Sequence, residues 1–169
     1  MDKRAIGRTR RHAEGVKAIL ILVLALAGCA PAQSAPDDAD DSARWQSVLR
    51  QLDAARERAF VRGDAGLLGR VYVPGSDVRR ADARLIRAYE RRGLELDAVP
   101  MRVRDVEVVS RAERRVLLRV LDRLGAVRVR APAGGAWRPL PRDRPSEHVI
   151  TLTNTRAGWR IAGIRRVAG

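Results

Sequence analysis

"LELDAVPMRVRDVEVVSRAERRVLLRVLDRL", residues Leu94 to Leu124, decides the fold, because its apolar side chains recur at every second position. The run "LELDAVPMRVRDVEVV" alternates, with a parity slip near Arg104-Asp105 that predicts a β-bulge. A polar turn over Ser110 to Arg114 then leads into Val116, Leu118 and Val120, so the two runs form an antiparallel hairpin. Asp122 falls at the same parity as those three apolar residues, which places a carboxyl on the buried face of a strand.

Toward the C-terminus the period of two continues. "AVRVRA" and "EHVITLTNT" flank the Pro/Gly-rich "PAGGAWRPLPRDRP", and "GWRIAGIRRV" ends the run. Toward the N-terminus the period is helical. Trp45, Val48, Leu49, Leu52, Ala55, Ala59 and Phe60 share one helix face, with Asp41 or Ser42 as N-cap and Gly63 as stop. Asp64 caps a short turn through Leu67 and Leu68, and Pro74-Gly75 marks a tight turn. Ser76 or Asp77 opens a further helix that presents Val78, Leu85, Ile86 and Tyr89 and stops at Gly93. Helices followed by a run of antiparallel strands define an α+β domain.

Helix, short helix, "VYVPGS" (Val71 to Ser76), helix, then long strands ending in Gly158-Trp159-Arg160-Ile161 resembles the nuclear transport factor 2-like, or SnoaL-like, fold. Arg58 to Asp64, "RAFVRGD", belongs to the same likeness, which extends over roughly residues 43–167 and is similar to the lipoprotein-type members of actinobacteria. The resemblance implies a cone-shaped curved antiparallel sheet packed against three N-terminal helices, with a conical pocket between them. Members use that pocket for isomerases, dehydratases, cyclases, ligand binding or association, so the fold does not select a reaction.

Residues 1–28 have a different character. Six basic and two acidic side chains precede the uncharged run Ala18 to Gly28, which is shorter than the ~20 residues a membrane-spanning helix needs. This is the layout of a secretory signal peptide. Leu26-Ala27-Gly28-Cys29 resembles the bacterial lipobox, and Cys29 is the one cysteine of the 169-residue chain. The expected organisation is a lipoprotein signal peptide over 1–28, a flexible Pro/Ala/Asp-rich tether over 29–41 and the folded domain over 42–169. Two or more acyl chains on Cys29 give stable anchoring where one gives marginal binding, which places the domain on the extracytoplasmic face of the cell membrane.

The chain holds 34 basic and 20 acidic residues, net +14, and every basic residue except Lys3 and Lys17 is an arginine. Such a bias is that of GC-rich coding. Arg119 and Arg123 on one strand, and Arg128 and Arg130 on the next, alternate with apolar residues and form an expected basic sheet face. That face suits an envelope protein partner or a second copy of the chain. Nucleic acid is not expected, since no reader motif is present.

One cysteine and two histidines exclude a disulfide within the chain and a cysteine-based metal cluster, so neither metal nor cofactor is expected. Trp45, Tyr72, Tyr89, Asp122, His148 and Trp159 are the pocket candidates. With no nucleophile triad or phosphate loop in the sequence, the domain is expected to be non-catalytic, an accessory module that docks a protein or holds a small apolar ligand. The alternative is a SnoaL-like enzyme with Asp122 as general base, assisted by Tyr72, Tyr89 or His148.

Overall fold

The computed structural model describes residues 36–131 and 134–167; the signal segment and Cys29 lie outside them. The first helix, α1 (Pro36–Val61), buries Trp45, Leu49, Leu52, Ala55, Ala59 and Phe60, which is the face set by their spacing. It begins earlier than the sequence suggests: residues 36–41, read as tether, are its first turns, so neither Asp41 nor Ser42 is its cap. Proline is well placed at the first position of a helix, where the N–H it lacks would have no intrahelical partner. Asp41 faces the sheet and is ion-paired with Arg111.

Asp64 caps the short 3₁₀ helix Ala65–Arg70 by accepting the Gly66 N–H at 2.7 Å. Val73 to Ser76 makes a tight turn with Gly75 at φ +75°, a conformation that a Cβ disfavours. Ser76 then caps α2 (Asp77–Arg91), accepting from the Arg79 N–H. Ile86 of α2 is buried, whereas Leu85 is 44% exposed. Residues 85 and 86 lie ~100° apart on a helix, and the sheet receives only the stripe of Val78, Ile86 and Tyr89.

The strands are β1 (Glu95–Leu96), β2 (Met101–Ala112), β3 (Arg115–Leu124), β4 (Arg128–Arg130), β5 (Arg138–Pro139), β6 (Ser146–Thr155) and β7 (Gly158–Arg166). Four of them form an antiparallel sheet in the order β2-β3-β6-β7, and β1, β4 and β5 form a separate small sheet in the order β1-β4-β5. The expected bulge is present, as a register shift between Val103 and Asp105, and a second shift follows between Val108 and Ser110. Such bulges bend a strand, so the long β2 curves.

The alternation from Leu94 onward is not one strand. Pro100, which cannot donate to a ladder, separates β1 from β2. The N–H groups on either side of the break are taken by α1: Glu57 accepts from Val99 at 3.1 Å and Asp53 from Met101 at 2.9 Å. Two carboxylates one helical turn apart thus replace the sheet partners that the break removes.

Val116, Leu118 and Val120 of β3 face α1 across the core, together with Ile150, Leu152 and Ile161. Leu118 is wholly buried, so Leu118→Ala is expected to cost about 2–5 kcal/mol in urea unfolding. Leu85→Ala, on the open face of α2, should change stability by less than about 0.5 kcal/mol.

Candidate functional site

Between the sheet and the two helices lies a cavity of about 230 Å³. Its apolar wall comes from Leu49 and Leu52 of α1, Val71, Val78 of α2, Ile150 of β6 and Ile161 of β7. Six polar side chains share it: Asp53, Arg56, Tyr72, Asp82, Asp122 and His148. The expected conical pocket is therefore open.

The two helices and the segment between them bring Arg56, Tyr72 and Asp82 together. Arg56 replaces an apolar residue on the buried stripe of α1, one turn after Leu52, and Asp82 does the same on α2, one turn after Val78. Arg56 donates through Nε to Asp82 Oδ2 at 2.7 Å and through Nη2 to Oδ1 at 3.3 Å, a two-point contact. The Tyr72 O–H donates to the same carboxylate at 2.6 Å. Tyr72 is held by backbone bonds on both sides, Ile161 N–H to Val71 O and Val73 N–H to Ile161 O, each 2.9 Å. The guanidinium of Arg56 also lies 4.6 Å over the Phe60 ring, in cation–π contact, while its Nη1 is buried without an acceptor.

Burial works against the Arg56 charge, but Asp82 and Tyr72 outweigh it and keep the guanidinium protonated. Burial also raises the Tyr72 phenol above its ordinary range, with a further contribution from Asp82, so it stays a neutral donor. Apart from Arg56 Nη1, the groups of this cluster satisfy one another, and the cluster spaces the helices.

The other acids are poised differently. Asp122 is 5% exposed at the inward parity of β3, and its Oδ1 lies 3.2 Å from His148 Nδ1. The two residues are diagonal neighbours, because Asp122 pairs with Ser146 and His148 stands two residues farther along β6. Burial pushes the Asp122 carboxyl up, against the opposing effect of His148. Asp53 is raised to about 6 by burial, although the Met101 N–H and Arg56 both favour its ionised form. A carboxyl beside an imidazole in a cavity has the geometry to accept and return a proton.

Of the residues singled out from the sequence, the structure brings Tyr72, Asp122 and His148 into the cavity and leaves Trp45, Tyr89 and Trp159 out of it. Tyr89 packs against the hydrophobic core. Trp45 and Trp159 meet edge to face, with centroids 4.9 Å apart, and line a separate depression with Arg44 and Arg111. Asp53, Arg56 and Asp82 were not legible as site residues, yet a signal existed. Charged residues interrupting the apolar stripes of two helices have to meet one another or a cavity, since neither can be buried alone.

The expected basic face is also redistributed. Arg119 and Arg123 belong to the large sheet, but Arg128 and Arg130 to the small one. Arg119 contacts Glu107 and Glu147, Arg128 contacts Asp97 and Arg130 contacts Glu95, so most of this charge is compensated locally. Among the described residues no group of three or more metal-ligating side chains occurs, and no helix is long and apolar enough to cross a membrane.

No protein-family model matches the chain, and no curated protein does. Solved structures do resemble it. The intermembrane space region of chloroplast protein ARC6 is 14% identical with a TM-score of 0.54, over 76% of this chain and 98% of that one. A nuclear transport factor 2-like superfamily protein from Salmonella enterica serovar Typhimurium is 6% identical, TM-score 0.46, over 75% and 92%. An NTF2-like protein with a cystatin-like fold from Novosphingobium aromaticivorans is 22% identical, TM-score 0.39, over 79% and 90%. At such identities the likeness to ARC6 shows a shared fold and nothing further. That fold is the α+β cone read from the sequence, with its curved antiparallel sheet.

The titration of Asp53 has a definite sign. Its folded pKa of about 6 exceeds the ordinary 3.8, so the native state holds more protons than the unfolded state between those values. Its contribution to stability is complete below pH ~4 and is lost as pH rises through ~6; Asp122 acts in the same direction. Asp53→Asn, whose amide oxygen still accepts from Met101, should flatten that part of the stability profile in urea unfolding at pH 4 to 7. An unchanged slope would remove Asp53 as its source.

Proposed function

We propose that this protein is a lipid-anchored, extracytoplasmic accessory domain of the cell envelope whose cone holds a small, largely apolar ligand. The observation that carries the ligand is the open cavity, about 230 Å³, with ten apolar lining residues drawn from six segments. It is smaller than the ~300–1,000 Å³ typical of drug-sized pockets, which favours a compact ligand. The Arg56–Asp82–Tyr72 cluster uses most of its polar groups on itself and leaves one buried donor, Arg56 Nη1, without an acceptor, so a largely apolar ligand carrying one acceptor fits it. What supports the anchor is the lipobox, Leu26 to Cys29, after an apolar run that follows a basic segment.

A second reading has its own observation. The Asp122–His148 contact inside the cavity is suited to proton transfer, with Asp122 as general base in a SnoaL-like isomerase or dehydratase. In that case Asp122→Asn abolishes turnover and leaves ligand retention nearly unchanged. In the binding reading the same variant changes neither retention nor cellular phenotype.

The experiments separate anchor from ligand. The intact mass of the protein from a membrane fraction should equal residues 29–169 plus diacylglycerol, and Cys29→Ala should remain full-length. An unmodified full-length mass for the wild type would end the lipoprotein reading. For the ligand, native mass spectrometry of protein released from its envelope should show a co-purifying small molecule. Ala81→Phe, at an exposed position on the cavity lining, should lose it at least tenfold. Equal retention by that variant would place the molecule elsewhere.

A further inference from the structure

A second concavity, of about 510 Å³, lies where the open end of the β2–β3 hairpin meets the small sheet. Arg102 of β2, Arg123 of β3, Arg128 of β4 and Arg142 line it, and Asp143 is the one carboxylate among the lining residues. That carboxylate is engaged: it accepts the Leu124 N–H at 2.8 Å. Arg128 is paired with Asp97. Among the described residues no carboxylate lies within ion-pair distance of Arg102, Arg123 or Arg142, whereas Arg119 and Arg130 nearby have partners.

Arg102 and Arg123 are also direct cross-strand partners. Like charges facing each other across an antiparallel pair are destabilising, so these two work against the hairpin that carries them. The groove around them is held on both sides. The Leu140 N–H donates to Val127 O at 2.9 Å, and Asp143 ties the following loop to the end of β3. Gly125 leaves room beside the Arg102 side chain: a Cβ there would come within 3.4 Å of Arg102 Nε and 2.9 Å of the Pro100 ring. Three guanidiniums without a carboxylate partner among the described residues thus line one groove, from two strands and a tethered loop.

We infer that this groove binds a phosphate group, with Arg102 and Arg123 as its principal ligands and Arg142 completing the set. Guanidinium forks match the oxygens of phosphate in bidentate geometry, and several forks from different directions suit a tetrahedral anion better than a planar carboxylate. The volume exceeds that of phosphate itself, so the group is carried on a larger molecule: a soluble phosphate ester or an anionic phospholipid headgroup. This site is separate from the cone and independent of what the cone holds.

The test is titration of the full chain in neutral detergent with inorganic phosphate by isothermal calorimetry, at fixed low ionic strength. The wild type should give a saturable isotherm, and phosphate should raise its unfolding midpoint. Arg102→Gln/Arg123→Gln should bind at least tenfold more weakly, with an unfolding midpoint equal to or above that of the wild type because the like-charge pair is gone. Arg119→Gln, equally basic in position but ion-paired, should bind as the wild type does. Displacement of phosphate by phosphatidylglycerol in the micelle, but not by phosphatidylcholine, assigns the site to a lipid headgroup. Retention of phosphate in both assigns it to a soluble ester. The inference is overturned if the wild type gives no saturable binding, if the double variant binds equally well, or if Arg119→Gln loses as much as the double variant does.

Discussion

The two-point contact between Arg56 and Asp82 is the constraint on which the cone depends. Each residue interrupts the apolar stripe of its own helix where the two stripes would otherwise converge on the sheet. Leucine at both places would let the helices close over Ile150 and Ile161 and fill the space. A half-buried ion pair instead imposes a fixed length, donor to acceptor, between α1 and α2. Buried pairs of this kind are weak sources of stability, since desolvation offsets much of their attraction. What this one supplies is spacing. Tyr72 adds a third member and connects the pair to β7 through the backbone bonds at Ile161, so helices and sheet are held at one separation.

The same helix solves a second problem. The chain must leave the small sheet and enter the large one at Pro100, where no ladder partner exists. Asp53 and Glu57 accept the two N–H groups beside the break, so α1 replaces the missing strand contacts. Asp53 therefore serves both backbone and cavity. Its pKa is raised by burial against the apolar wall, and the Met101 N–H only partly offsets that.

The arginines play unlike parts. Some arginines are paired on the surface with acids of neighbouring strands, as Arg119, Arg128 and Arg130 are, and exposed pairs of this type contribute little stability. One is built into the interior, where its charge is a structural element. Three others, Arg102, Arg123 and Arg142, line one groove, and among the described residues no carboxylate lies within ion-pair distance of them. A coding bias would set how many arginines there are, but not which of them share a groove. That is decided by strand register and by where the 140–145 loop is tied down.

Much of the fold was legible because it rests on local rules. The helical stripe from Trp45 to Phe60, the caps at Asp64 and Ser76, the turn at Pro74-Gly75 and the bulge after Val103 each follow from side-chain period or backbone stereochemistry. Asp122 was legible as an inward acid for the same reason, since parity along a strand sets its face. The first turns of α1 were hidden because an Asp-rich stretch has the composition of a tether. The break at Pro100 was hidden because apolar and polar residues alternate on both sides of it, although the parity slips between Leu96 and Met101. Which strand follows which into the sheet, and hence that His148 stands diagonal to Asp122 and Arg102 opposite Arg123, is a matter of pairing between distant segments. So is the meeting of Arg56 with Asp82, 26 residues apart. Sequence determined the faces; only the tertiary structure decided which faces meet, because a pairing is chosen by the whole core at once and leaves no mark at either residue alone.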